Sequence, residues 1–244
     1  MVSGQCCLRA LCVHCVPNHR VVIPLGQEGA TIERAGACSV RSLGADRYPR
    51  ILLGVYLLWW MLLAIAPAFR QDWLLENLLV FVGLPALILL HSHVRLSHAA
   101  CTALFVFFAL HAVGAHYTYS EVPYDRWAQA LTGSTLSEVF GWQRNHFDRL
   151  VHFLYGLLVT PAAIALLDRR APQQGIWRWL LPWLFMLSHS TIYEMIEFAA
   201  AMVFGGDLSQ AYVGTQGDVW DAQKDSALAA IGAAVAVVWC RESA

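Results

Sequence analysis

Ionisable side chains recur at helical spacing along an otherwise apolar sequence. Asn145, Asp148 and His152 step by three and then four residues, and the other clusters use the same intervals. Residues three or four apart share one face of an α-helix. The candidate functional residues are carboxylates and imidazoles, namely His111, Asp148, His152, Glu194, Glu197, Asp218, Asp221 and Asp225.

These residue types are the ones that bind divalent cations. Carboxylates and imidazoles suit Mn, Zn or Mg rather than soft metals. A carboxylate inside a membrane is energetically costly unless it has a partner, so several of them facing each other need a positive charge. We predict a divalent metal ion as cofactor, with ligands drawn from Asp148, His152, Glu194, Asp218, Asp221, Asp225 and His111.

Glu194, Glu197 and His152 are the predicted catalytic residues. A bound ion can lower the pKa of a water molecule or polarise a phosphoryl or acyl group. Burial can raise the pKa of a glutamate, so either glutamate can alternatively act as a general base.

Each of these residues also has a structural interpretation. Arg126, Arg149 and Lys224 are positive partners that the chain itself offers to the carboxylates. His152 can be bonded to a neighbouring helix, and Asp218 can be the N-cap of the last helix. The sequence leaves both interpretations open.

The elements that must position these residues are membrane-spanning helices. Hydrophobic residues make up 58% of the 244 residues and charged residues 14%, with a mean hydropathy of +0.50. Soluble domains are about 45–50% apolar and about 25% charged, so this chain has too few polar groups to coat a soluble globule. We predict an all-α, polytopic membrane helix bundle.

Six stretches are long and apolar enough to cross a hydrocarbon core, which takes about 20 residues of helix. They are residues 51–69, 73–90, 97–119, 148–167, 176–204 and 221–240. Gly114 and Gly156 fall within two of them, where we expect neighbouring helices to pack closely. The predicted six-helix transmembrane domain covers residues 46–244.

Residues 1–45 differ in composition and hold five of the seven cysteines. Cys12 and Cys15, with His14 and His19 nearby, resemble half of a zinc-ribbon motif whose second half is missing. We expect this segment to be a disordered tail, and a start codon assigned too early is an alternative explanation.

The distribution of basic residues predicts the orientation. Six spans put both termini on one side, and if that side is cytoplasmic, eleven basic residues lie inside and five outside. Cytoplasmic loops carry the excess of Lys and Arg, so we predict that both termini are cytoplasmic. The ionisable residues of the last four spans then meet at the outer face, and they meet at one face in either orientation.

Several function classes are excluded. A net charge of −1 gives no electrostatic footprint for nucleic-acid binding. The expected partners of the apolar helices are membrane lipids. The sequence contains no serine-nucleophile motif, P-loop or dinucleotide fingerprint. It also contains no internal repeat of the kind that builds many transporters.

Four motifs resemble the YjdF-type family, which comprises small bacterial inner-membrane proteins classed as a domain of unknown function. The motifs are GAHYTYSEVP (114–123), NHFDRLVHFLYG (145–156), YEMIE (193–197) and GTQGDVWDAQKD (214–225). The resemblance covers about residues 51–240, implies an inner-membrane location and brings no catalytic residue with it. More distantly, the DRLVHF segment (148–153), the glutamate-bearing helix and the spacing from Asp218 to Asp225 are similar to VanZ-like proteins, which are linked to glycopeptide-antibiotic resistance.

Three functions follow as hypotheses. The first is a metal-assisted enzyme acting on a lipid or an envelope precursor, because the polar site lies at headgroup level. The second is a protein that binds or transports a cation or a cationic headgroup, although residues 51–63 and 157–167 offer no ionisable path. The third is a structural membrane protein whose polar cluster only pairs helices. The oligomeric state stays open.

Overall fold

The structure is a computed structural model that describes residues 47–204 and 215–243, and all regular secondary structure in this part of the chain is helical, with no strand. The predicted all-α membrane helix bundle is therefore confirmed. The tail predicted over residues 1–45, with its cysteines, lies outside the described residues.

The helices of the described residues are α1 (Arg47–Leu63), α2 (Arg70–Glu76), α3 (Leu78–Val94), α4 (His98–Tyr117), α5 (Tyr124–Thr132), α6 (Leu136–Phe140), α7 (Phe147–Arg170), α8 (Trp177–Phe204) and α9 (Asp221–Ser243). Short 3₁₀ turns at Tyr119–Glu121 and Thr215–Gly217 follow α4 and precede α9. The predicted spans thus lie on α1, α2 with α3, α4, α7, α8 and α9.

Two predicted spans differ from the helices observed. The span predicted over residues 51–69 ends at Leu63, because Ala66 has a left-handed φ of 51° and Pro67 disfavours helix in the residue before it. The span predicted over residues 73–90 is divided at Asn77, whose side chain donates to the Trp73 carbonyl oxygen at 2.6 Å. This division creates the separate short helix α2.

Three helical stretches in the described residues are long and apolar enough to cross a membrane: Arg70–Val94, His98–Tyr117 and Phe147–Arg170. Of the others, α1 has only 17 residues. Helices α8 and α9 carry several ionisable residues, which lower their mean hydropathy. The count of six spans therefore stays a prediction.

The bundle contains both parallel and antiparallel pairs of neighbouring helices. Helices α1 and α4 run parallel, because Tyr48 contacts Thr102 near both starts (2.6 Å) and Leu63 accepts a hydrogen bond from His116 near both ends (2.7 Å). Helices α7 and α9 also run parallel, with α8 antiparallel to both. The end of the bundle at which α4 ends and α7 and α9 begin is called the polar end.

Glycines bring α7 and α9 into close contact. A Cβ at Gly156 would overlap the carbonyl oxygen of Ala229, and a Cβ at Gly232 would overlap that of Phe153. Small residues at such positions let two helix backbones approach closely inside a membrane. This packing sets the first turns of α7 beside the first turns of α9.

The outward surface of the long helices is apolar. Val82 on α3 is 64% exposed, Met202 on α8 is 71% exposed, and Val238 on α9 is 55% exposed. Such a surface is unfavourable in water and suits contact with lipid chains.

Candidate functional site

Three carboxylates surround one histidine at the polar end. The Nε2 atom of His152 on α7 is 3.6 Å from Asp148 Oδ1 and 3.4 Å from Glu194 Oε1 on α8. Asp225 on α9 joins them, since ligand atoms of Asp148, His152 and Asp225 all lie within 4.8 Å of one another. We call Asp148, His152, Glu194 and Asp225 the His152 cluster.

The cluster is partly buried, with Asp148 24% exposed and Asp225 the most enclosed, and it is not internally satisfied. Asp225 is 2% exposed, and its Oδ1 atom has no hydrogen-bond partner among the described residues. The side chains of His152 and Glu194 are 12% and 11% exposed. Buried carboxylate oxygens normally accept hydrogen bonds, so this oxygen is available to a proton, a water molecule or a cation.

A network of basic side chains borders the cluster. Arg144 forms a bidentate ion pair with Asp221, in which Nη1 is 2.9 Å from Oδ1 and Nη2 is 3.1 Å from Oδ2. Arg149 bonds Asp218, whose Oδ2 atom is also 2.6 Å from Lys224 Nζ. Asp218 and Asp221 were predicted as metal ligands, and in the structure both carboxylates are paired with basic residues of the same chain.

These contacts explain the acidity of Asp218, which precedes α9. The hydrogen bond from Lys224 is the largest effect, and the Trp220 backbone N–H and Arg149 add to it, so the pKa of the Asp218 carboxyl falls to about 2. Asp218 is consequently ionised under physiological conditions and anchors the basic network as a carboxylate.

Arg144 was not recognised from the sequence as part of the site. It lies before α7, four residues ahead of Asp148 in a polar segment. A basic residue one helical turn from a buried carboxylate was the available signal. Its partners could not be read from the sequence, because they lie 74 and 77 residues further along the chain.

A second pair of acidic residues comes from α2. Tyr193 on α8 donates a hydrogen bond to Glu76 Oε2 at 3.1 Å, and Thr118 donates to Asp72 Oδ2 at 3.3 Å. Glu76 and Asp72 are 7% and 6% exposed. Neither residue was predicted as part of the site, although their four-residue spacing was the signal of a shared helix face.

An apolar cavity of about 340 Å³ adjoins the cluster. Its polar lining includes His111, Asp148, His152, Tyr193 and Glu197. Most of the remaining wall consists of apolar side chains from α3, α4, α7 and α8, among them Leu87, Phe107 and Met186. The site therefore consists of a cluster of acidic groups beside a mostly apolar cavity.

The remaining predicted residues lie around this core. His111 is 1% exposed, bonds the Tyr119 hydroxyl through Nδ1 and reaches the cavity wall, so it is not a member of the His152 cluster. Glu197 lies three residues beyond Glu194 and lines the same cavity. Asn145 does not share the helix face of Asp148 as predicted, because α7 begins only at Phe147, where Asn145 Oδ1 accepts the backbone N–H at 3.0 Å.

Apolar helices around a buried carboxylate–histidine cluster define a helical membrane protein with an internal polar site. Residues 48–242 match the family described as "Predicted membrane protein (DUF2238)", and the chain belongs to this family.

A curated relative agrees with the family. The chain is 32% identical over 173 residues to "Inner membrane protein YjdF" of Escherichia coli (strain K12), covering 70% of this chain and 78% of that protein. The expected YjdF-type resemblance and bacterial inner-membrane location are thereby confirmed. The VanZ-like similarity and the cytoplasmic termini stay predictions. No solved structure matches the chain.

Proposed function

We propose that the protein is a metal-assisted membrane enzyme that acts on a lipid or an envelope precursor. The observation that carries this proposal is the convergence of Asp148, His152 and Asp225, whose ligand atoms lie within 4.8 Å of one another. The unpaired, buried Oδ1 atom of Asp225 supports it independently, because a cation would satisfy that oxygen.

The ligand chemistry favours Mn, Zn or Mg. Two carboxylates and one imidazole form a mixed oxygen and nitrogen set, which suits these ions and not soft metals. The arginines bordering the cluster pair with Asp218 and Asp221, so those two aspartates hold the ligand-bearing helices together in this proposal. Glu194 lies beside His152 and completes the ligands or acts as general base, and Glu197 shares the second role.

The substrate class follows from the adjoining cavity. Its apolar wall accepts a hydrocarbon chain, while the acidic end receives the polar group that reacts. A metal ion there would polarise a phosphoryl or acyl oxygen and lower the pKa of a bound water molecule. An amphipathic substrate reaches such a site from the bilayer without crossing water.

Metal analysis of the purified protein tests the ion site. We expect about one equivalent of Mn or Zn in the wild type and at least about tenfold weaker binding in Asp148→Asn and Asp225→Asn. Asp168→Asn is the matched control. Asp168 also lies on α7 but near the C-terminal end of this helix, where its Oδ2 atom is 3.1 Å from Arg178 Nη2. Wild-type protein that binds no divalent ion, or an equal loss in the control, would exclude the site.

Turnover is tested separately with vesicles of bacterial polar lipids and mass spectrometry of the products. We expect metal-dependent product formation that a chelator abolishes, that Asp148→Asn lacks and that Asp168→Asn retains. A protein that binds the ion but changes no lipid would support the cation-binding alternative and contradict the enzyme.

A further inference from the structure

A second cavity lies at the end of the bundle opposite the polar end. It measures about 400 Å³ and is lined by the start of α1, the end of α3 and the start of α4. Its lining shares no residue of the His152 cluster and differs from it in charge. The two cavities share the wall residues Leu87, Leu104 and Phe108, so the second is distinguished by its position and by the charge at its mouth.

The mouth of this cavity is basic. Arg50 on α1 and Arg95, just after α3, both line it and are both exposed. His91 and Ser92 add polar groups beside Arg95. Among the described residues that line the cavity none is acidic, so the two guanidinium groups favour an anion at its mouth.

The interior is apolar and ends at an unsatisfied hydroxyl. Leucine and phenylalanine side chains such as Leu84, Leu87 and Phe108 form the wall. Tyr56 also lines it, is 2% exposed, and its hydroxyl has no hydrogen-bond partner among the described residues. Buried tyrosine hydroxyls usually find a partner, so this one indicates a ligand oxygen at that depth.

We propose that this cavity binds one anionic phospholipid. The phosphate would lie between Arg50 and Arg95, because guanidinium groups form charge-assisted hydrogen bonds to phosphate oxygens. Arg50 and Tyr56 are six residues apart on α1, about 9 Å along the axis, so Tyr56 would donate to an ester carbonyl deeper in the lipid. The acyl chain would follow the apolar wall.

A lipid fits these features better than free phosphate. Inorganic phosphate would use the arginines and leave the apolar wall and the Tyr56 hydroxyl empty. The surrounding helices already present apolar surface to lipid, and basic residues at a membrane surface attract anionic headgroups. The proposal is independent of the metal site and of the orientation of the chain.

Native mass spectrometry of the detergent-purified protein tests it, with phosphatidylglycerol and phosphatidylcholine as probes. We expect tighter binding of phosphatidylglycerol, about thirtyfold weaker binding of it in the double variant Arg50→Gln/Arg95→Gln, and a smaller loss in Tyr56→Phe. An excess of inorganic phosphate should leave the bound lipid in place.

The matched control is Arg47→Gln/Arg241→Gln, which removes the same charge from exposed residues that do not line the cavity. The control should bind phosphatidylglycerol as the wild type does. An equal loss in the control, equal affinity for the two lipids, or displacement by inorganic phosphate would each overturn the proposal.

Discussion

Asp225 and Arg144 show how single residues shape the polar end of the bundle. Asp225 leaves one buried oxygen unpaired beside His152, whereas Asp221, one helical turn earlier, is held by Arg144 through two contacts. The two aspartates of α9 thus have different partners. Arg144 and Arg149 pack beside the first turn of α9, where Asp221 lies, whereas His152 packs beside the second turn, where Asp225 lies. Ligand binding is expected at Asp225 and structural pairing at Asp221.

Removing Arg144 should destabilise the protein. Arg144→Gln leaves the Asp221 carboxylate without its bidentate partner. Because the side chains of Arg144 and Asp221 are only 12% and 8% exposed, we expect the free energy of unfolding to fall by about 2–4 kcal/mol. Thermal unfolding in detergent measures this, with exposed Arg126→Gln as control. In the double variant Arg144→Gln/Asp221→Asn the loss should be smaller than the sum of the single losses, and simple additivity would contradict the pairing.

Asp218 should make stability depend on acid pH. Its pKa is about 2 in the folded protein and 3.8 when unperturbed, so its ionised form stabilises the fold above about pH 4 and that stabilisation is lost as the pH falls toward 2. The melting temperature of the wild type should therefore fall more steeply than that of Asp218→Asn between pH 4 and pH 2. Parallel pH profiles of the two proteins would show that Asp218 is not ion-paired.

At the scale of elements, the α7–α9 pair and the short helix α2 build the site. Close packing at Gly156 and Gly232 sets Asp148 and His152 beside Asp225. The break at Asn77, which is fully buried and bonded to Trp60 at 2.5 Å, turns Glu76 toward Tyr193. The apolar helices and close packing at Gly156 were predictable from local spacing, whereas the helix break at Asn77 was not, because it depends on Trp60 of α1.

A methyl group at the helix contact should disrupt the site. Gly156→Ala places a Cβ against the Ala229 backbone, and we expect a destabilisation of about 1–3 kcal/mol together with weaker Mn or Zn binding. Gly54→Ala on α1 is the control, because no described residue lies within 4 Å of the added Cβ. Thermal unfolding and metal analysis compare the two, and equal behaviour of both variants would contradict close α7–α9 packing.

The whole molecule has two chemically different ends joined by an apolar belt. The polar end holds the His152 cluster and its bordering ion pairs, while the opposite end presents Arg50 and Arg95 at a second cavity. Basic residues concentrate on the cytoplasmic side of membrane proteins, which favours the opposite end as cytoplasmic. The polar end would then face the periplasm.

Labelling with a membrane-impermeant maleimide tests this orientation. Ser134→Cys lies between α5 and α6 at the polar end, and Gln174→Cys lies between α7 and α8 at the other; both sites are exposed. We expect Ser134→Cys to react in intact spheroplasts and Gln174→Cys to react only after permeabilisation. The reverse pattern would invert the predicted topology without altering the cluster.

Composition and residue spacing were enough to predict an apolar helical membrane protein whose few carboxylates and histidines lie mainly in its last four long helices. Hydropathy and helical spacing are local properties, so they can be derived from residues that are close together in the sequence. Which of these residues contact each other became apparent only from the packing of the helices. The packing brings Asp148, His152, Glu194 and Asp225 together and pairs Asp218 and Asp221 with basic residues. It also places Glu76 at the same end of the bundle, where Tyr193 donates a hydrogen bond to it. The physical reason is that side-chain pairing depends on helix crossing and on contacts between residues up to 117 positions apart, which spacing within one helix does not encode.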